Sequence, residues 1–179
     1  VKASRLRATA VVAVFAVFAV LVTAAPLSAA SKRPLTLTST AFDDGGTIPV
    51  AYTCRGEGKS PQLAWKNVPS GTKQFALIMQ DPDTPIGTFV HWVVAGMAAK
   101  TRSIPENTQP ADAFGGVNGA GRPGWTPPCP PSGVHRYIFM LYALGKKVTL
   151  PPGANAAAVR AAIKGKVLSR AQLLGRYGR

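Results

Sequence analysis

The sequence predicts a mainly β fold: a β-sandwich-like core with one or two short C-terminal helices. Three observations carry this prediction. Short runs rich in β-branched and aromatic residues recur along the chain. Clusters of Gly and Pro separate them. Near the C-terminus one stretch changes to helical spacing.

The elements follow in order. "LTLTS" (35–39) alternates apolar and polar residues, as a half-buried strand does, and "QLAW" (62–65) is a second strand. "FALIMQ" (75–80) is a continuous apolar run, suited to a strand buried on both faces. "FVHWVVAGM" (89–97) and "RYIFMLYAL" (136–144) are the strongest strand signals. At the tail, Asn155 caps a helix, and Val159, Ile163, Val167 and Leu174 fall at near-helical spacing. Gly165 weakens the middle of that run, which leaves one helix or two short ones.

With 179 residues, the chain has room for one domain of ordinary size. Residues 1–30 are expected to lie outside it. Lys2, Arg5 and Arg7 precede an uncharged run from Ala8 to Ala25, and small residues follow Pro26. That order is the pattern of a secretory signal peptide, with cleavage near Ala29 or Ala30. The competing reading is a transmembrane anchor, since about 18 apolar residues suffice to span. The run is rich in Ala and Thr rather than Leu, and no basic cluster stops it, which favours export. Residues 31–34 are then a short linker and residues 35–179 the domain. The expected location is secreted or periplasmic.

The formal charge is +14, falling to +11 without residues 1–30, which hold three basic and no acidic residues. The last acid is Asp112, and ten Lys or Arg residues follow it. This balance favours acidic partners such as anionic lipid surfaces. No long basic run or aromatic-interleaved basic motif is present, so nucleic acid is not an expected partner.

In an oxidising compartment, Cys54 and Cys129 either pair as a disulfide or remain two buried thiols. There is no CxxC pair, so cysteine gives no metal signature, and no metal or other cofactor is expected.

Both histidines of the chain stand where a strand begins: His91 in "FVHWVV" and His135 in "GVHRYIF". Strand alternation puts His135, Tyr137 and Phe139 on one face. A carboxylate such as Asp81 can accept from one ring nitrogen, fix the tautomer, and turn the other nitrogen toward a ligand. Two imidazoles, a phenol and loop amides suit a small anion. Asp81 alone would repel it, so a supporting role suits that residue best. "RPGWTPPCPPSG" (122–133) leads into His135 with five prolines between 123 and 131. Such a segment is neither central strand nor helix, and its stiffness lowers the ordering cost of binding.

"DPDTP", "FVHW" and "PCPPSGVHRYIFMLYAL", in that order, resemble the phosphatidylethanolamine-binding protein family in its bacterial and archaeal, Raf-kinase-inhibitor-like branch. "IPVAYTCRGEGKSPQLAW", "NVPSGTKQFALIMQDPD" and the C-terminal "AIKGKVLSRAQLLGRYGR" fit the same branch, so the resemblance covers about residues 35–179. It implies a β-sandwich with an anion pocket at one end, formed here by Asp81, His91, His135 and Tyr137. Pro131 and Gly133 would lie on its rim, and Asp83 would shape the loop. Family members bind phosphate-like groups, including phospholipid headgroups, and some inhibit kinases or serine proteases. Two departures stand out. Pro127-Pro128 replaces the common Gly-Pro, removing a backbone N–H from the rim, and Arg55 follows "YTC" where an acid is common.

The expected function is therefore non-catalytic binding of a small anion or phosphorylated headgroup. The alternative is a protein inhibitor of a serine protease or kinase, acting through the proline loop. Catalysis by Ser60 or Ser132 with His135 and Asp81 lacks a Gly-x-Ser-x-Gly elbow, and a metal site at His91, His135 and Asp81 lacks a spacing motif.

Overall fold

The computed structural model describes residues 33–178; residues 1–30, expected to be a signal peptide, lie outside the described residues. Among the described residues, eight strands and one α-helix make up the fold. A three-stranded antiparallel sheet contains β1 (Thr36–Thr38), β2 (Leu63–Lys66) and β5 (Ser103–Ile104) in the order β1-β2-β5. The larger sheet runs β6-β4-β3-β7-β8. Its members are β3 (Gln74–Asp81), β4 (Phe89–Ala98), β6 (Phe114–Gly115), β7 (Val134–Leu144) and β8 (Val167–Gly178). All its pairings are antiparallel.

The two faces of the larger sheet meet different partners. One carries Phe75, Leu77, Met79, Trp92, Val94, Tyr137, Phe139 and Leu141 into a core shared with Leu37, Leu63, Trp65 and Ile104 of the smaller sheet. The other carries Ala76, Ile78, Val93 and Ala95 against Ala156, Val159 and Ile163 of α1 (Ala156–Ile163). Hence β3 reads as an unbroken apolar run: it is buried on both sides. Strand β7, nearer the edge, alternates instead.

The mainly β prediction is realised, with one correction in the tail. Asn155 caps α1 as expected, its side chain accepting from the Ala158 N–H at 3.1 Å. The helix ends at Ile163, and Gly165 turns the chain at φ 71°. Residues 167–178 are a strand rather than a second helix. Ala171, Leu173 and Tyr177 are buried at period two, and edge pairing with β7 outweighs the approximate helical spacing of Val167 and Leu174.

Cys54 and Cys129 form a disulfide across 75 residues. It ties the segment after a single 3-10 turn (Val50–Tyr52) to the proline loop. The linker assigned to 31–34 ends at Pro34, whose carbonyl accepts from Asn67 Nδ2, and Leu35 is already buried.

Candidate functional site

Three strands bring the candidate residues to one end of the larger sheet. Asp81 closes β3, His91 lies near the start of β4, and His135 is the second residue of β7. His91 occupies a break in register. Met79 pairs with Trp92 and Gln80 with Val90, which leaves His91 as the extra residue of a bulge. Bulges re-aim side chains, and this one delivers an imidazole to a cavity instead of the ladder's regular face.

The cavity measures about 160 Å³. Asp81, His91 and His135 form its polar wall, with Thr84 and Phe89 from the β3–β4 connection. Thr126, Pro127, Cys129, Pro130 and Pro131 supply the opposite wall. Two larger depressions, of about 680 and 470 Å³, lie elsewhere and contain no histidine. Size alone would favour them, but the small cavity gathers His91 and the bonded Asp81–His135 pair under a fixed loop.

Each imidazole is held through Nδ1. His135 Nδ1 donates to Asp81 Oδ2 at 2.7 Å. His91 Nδ1 donates to the Thr126 carbonyl at 2.8 Å, and the Thr126 N–H donates back to the His91 carbonyl at 2.9 Å. A carbonyl and a carboxylate only accept, so both rings carry their Nδ1 proton and leave Nε2 for the cavity. Neutral, Nε2 accepts; protonated, it donates to an anion. Burial holds His91 below the ordinary histidine pKa, opposed by its bond to Thr126 and by the Asp81 charge. The ring sits between two aromatic neighbours, Phe89 at 4.8 Å and Tyr137 at 5.3 Å, both edge-on.

Each Asp81 oxygen accepts from a protein group. Its Oδ1 accepts from the Asp83 N–H at 2.8 Å, a turn that starts the β3–β4 loop. Asp83 in turn accepts from Arg136 N, Nε and Nη2 at 2.6 to 3.2 Å. The Arg136 guanidinium lowers the Asp83 pKa to about 2. Asp83 thus fastens the loop to β7 on the outside of the cavity.

Tyr137 and Gly133 occupy other places than a pocket wall. Tyr137 shares the face of His135, as alternation predicts, but it is fully buried beneath His91, outside the cavity lining. Its hydroxyl lacks a partner in hydrogen-bond geometry, and burial, aided by the nearby Asp81 charge, raises its pKa strongly. Gly133, at φ 67°, turns the chain into β7. Ser60 is buried and Ser132 exposed, and neither lines the cavity. Among the described residues no group of three or more His, Cys, Asp or Glu is arranged to hold a metal ion.

The proline loop is fixed from several sides. Trp125 packs against Trp92 and Phe139, and its Nε1 donates to the Gly58 carbonyl at 2.9 Å. Buried Asn118 donates to the Gly124 carbonyl and to Thr126 Oγ1. Cys54 N–H donates to the Pro128 carbonyl beside the disulfide. Pro127, one of the two departures from the family pattern, lines the cavity directly.

A β-sandwich with a two-histidine, one-carboxylate cavity at the end of its larger sheet is the class of protein defined by these features. The chain belongs to the phosphatidylethanolamine-binding protein family, whose model matches residues 38–178. It is 44% identical to a UPF0098 protein of Aquifex aeolicus, covering 79% of this chain and 86% of that one. Identity to LppC of Mycobacterium tuberculosis, which carries lipoprotein in its name, is 38%, covering 83% and 75%. A solved structure described as a homologue from this family, CT736 of Chlamydia trachomatis, superposes with a TM-score of 0.79 at 36% identity, covering 82% and 98%. YbcL of Escherichia coli gives 0.75 at 29% identity, covering 82% and 99%.

Proposed function

We propose that this protein binds a small anion or the phosphorylated end of a larger molecule in the His91–His135 cavity, and performs no chemistry on it. The observation that carries the reading is the pair of imidazoles tethered through Nδ1, with both Nε2 atoms left for a ligand. Protonation turns these atoms into donors for phosphate oxygens, and Asp81 keeps the His135 ring in place meanwhile. Pockets for drug-sized ligands run to about 300 Å³ and more. At about 160 Å³ this one suits a headgroup or a free oxyanion and excludes lipid chains.

Export is part of the reading. A relative named as a lipoprotein supports an envelope location, and the disulfide supports an oxidising compartment. The protein works there as a secreted or periplasmic binder, with the proline loop as the rigid wall of its pocket.

Calorimetry with phosphoethanolamine and with inorganic phosphate tests the proposal. The expected result is one site per chain that His135→Ala removes. Equal binding by the His135→Ala protein would contradict the assignment.

A further inference from the structure

The two ends of the larger sheet differ in charge. At the end away from the cavity, Gln74 pairs with Ala98 and with Leu144, and Leu144 with Val167. Lys73, Lys100, Lys146, Lys147, Lys164 and Lys166 all lie within two or three residues of those positions. Backbone bonds confirm the neighbourhood: Lys73 N–H donates to the Leu144 carbonyl and Gly145 N–H to the Lys166 carbonyl. Lys73, Lys100 and Lys147 share one depression of about 470 Å³, where Asp112 is the only acid. All but Lys166 are exposed. The other acids are placed elsewhere, with Asp43 adjoining Asp44 in the sequence. Asp81 and Asp83 sit at the opposite end, Asp44 is bonded to Leu174, and Glu57 and Glu106 pair with Lys59.

Apolar residues stand among the lysines. Val167 and Leu168 are 40% and 48% exposed at the start of β8. A nucleic acid or a soluble polyanion would use the charge and leave these side chains in water. An anionic bilayer uses both: its surface potential attracts lysines, and its interface accepts apolar side chains.

We infer that the lysine-bearing end of the larger sheet docks this protein on an anionic lipid surface. The cavity then points away from that surface. Strand β3 spans the interval with eight residues, roughly 25 Å at about 3.3 Å each. That exceeds the Debye length of about 8 Å at physiological salt. A docked molecule therefore takes its ligand from the aqueous side, as a free phosphorylated compound, and not from the lipids beneath it. This last consequence rests on the anion-pocket reading; the docking does not.

Lysine footprinting of the full chain tests the inference. Each lysine's acetylation rate is measured by mass spectrometry with and without vesicles of phosphatidylglycerol and phosphatidylcholine. Lys73, Lys146, Lys147 and Lys164 should be slowed at least about fivefold, while Lys59 keeps its rate. Vesicles of phosphatidylcholine alone, or raised salt, should remove the protection. The pattern of protection reports the docking end whatever else in the chain touches lipid. Replacing those four lysines by Gln should weaken salt-sensitive binding at least about tenfold, with phosphate binding in the cavity unchanged. Three outcomes would overturn the inference. The lysines could stay fully reactive on anionic vesicles. A soluble polyanion such as DNA could protect them where vesicles do not. Finally, Ile86→Asp, at the 92% exposed tip beside the cavity, could abolish binding; that would put the cavity mouth on the membrane instead.

Discussion

Asp81 Oδ2 lies 2.7 Å from His135 Nδ1, and its other oxygen is taken by the Asp83 N–H. The carboxylate's bonds thus run to protein groups. This separates two roles that an acid beside an anion pocket can have: opposing the ligand's charge, or holding the group that binds it. The two predict opposite effects for Asp81→Asn. Loss of mere repulsion would tighten phosphate binding. Loss of the support that sets the His135 tautomer would weaken it, and a fall of at least tenfold is expected, in line with changes to groups that orient a ligand-binding histidine. Titration calorimetry of the variant reads the sign directly.

Acid should loosen the fold through His91. Burial lowers its folded pKa beneath the unfolded value of about 6.5. The unfolded chain therefore takes up a proton that the folded one refuses, and stability falls as pH drops below about 6.5. The contribution is complete above that value and is lost as pH falls through the folded pKa. Urea unfolding from neutral to mildly acidic pH should show this slope, and His91→Phe should flatten it. Bound phosphate should flatten it too, because it favours protonated His91.

The pair of Asp83 and Arg136 is partly exposed, with side chains 25% and 49% accessible. Solvent screening accordingly keeps its contribution small. Since the Asp83 pKa is lowered to about 2, that contribution is present above the ordinary aspartate pKa of about 4 and is lost as pH falls toward 2. Arg136→Ala should lower the urea midpoint slightly and raise the phosphate Kd less than His135→Ala does.

Reduction of the disulfide should act on both stability and binding. A loop of 75 residues predicts about 4 kcal/mol from chain entropy alone. Cys129 also lines the cavity, so the Cys54→Ala, Cys129→Ala double variant should bind phosphate more weakly even where it remains folded. A thermal scan and a calorimetric titration on the same variant separate the two effects.

Much of the fold is legible in the sequence because strands and helices differ in period. The expected strands at 75–80, 89–97 and 136–144 are extended by at most two residues at either end in the structure. The tail was ambiguous for a physical reason. Val159 and Ile163 fit only a helix, whereas Ala171, Leu173 and Tyr177 fit period two, and partner strand β7 decides between the readings. The strands β5 and β6, of two residues each, carry too few residues to show any period.

At the site, the face shared by His135 and Tyr137 follows from alternation, but the depth of Tyr137 does not, because alternation specifies a face and not what covers it. The bulge at His91 is a property of two strands together. Thr126 holds His91 through a backbone carbonyl, which any residue could supply, so its side chain gives no signal. Phe89, two positions before His91 in the sequence and beside it in the cavity wall, was the one missed residue with a readable cue: an aromatic near the histidine on the same strand.

The central claim is that both Nε2 atoms meet an anion while both Nδ1 atoms stay bound to the protein. The chain has two histidines, so imidazole nitrogen NMR on the labelled protein reports each one without overlap. Adding inorganic phosphate at mildly acidic pH should shift both Nε2 resonances toward the protonated range and leave both Nδ1 atoms protonated. Nε2 resonances that do not respond to phosphate, or a phosphate response confined to other residues, would contradict the account.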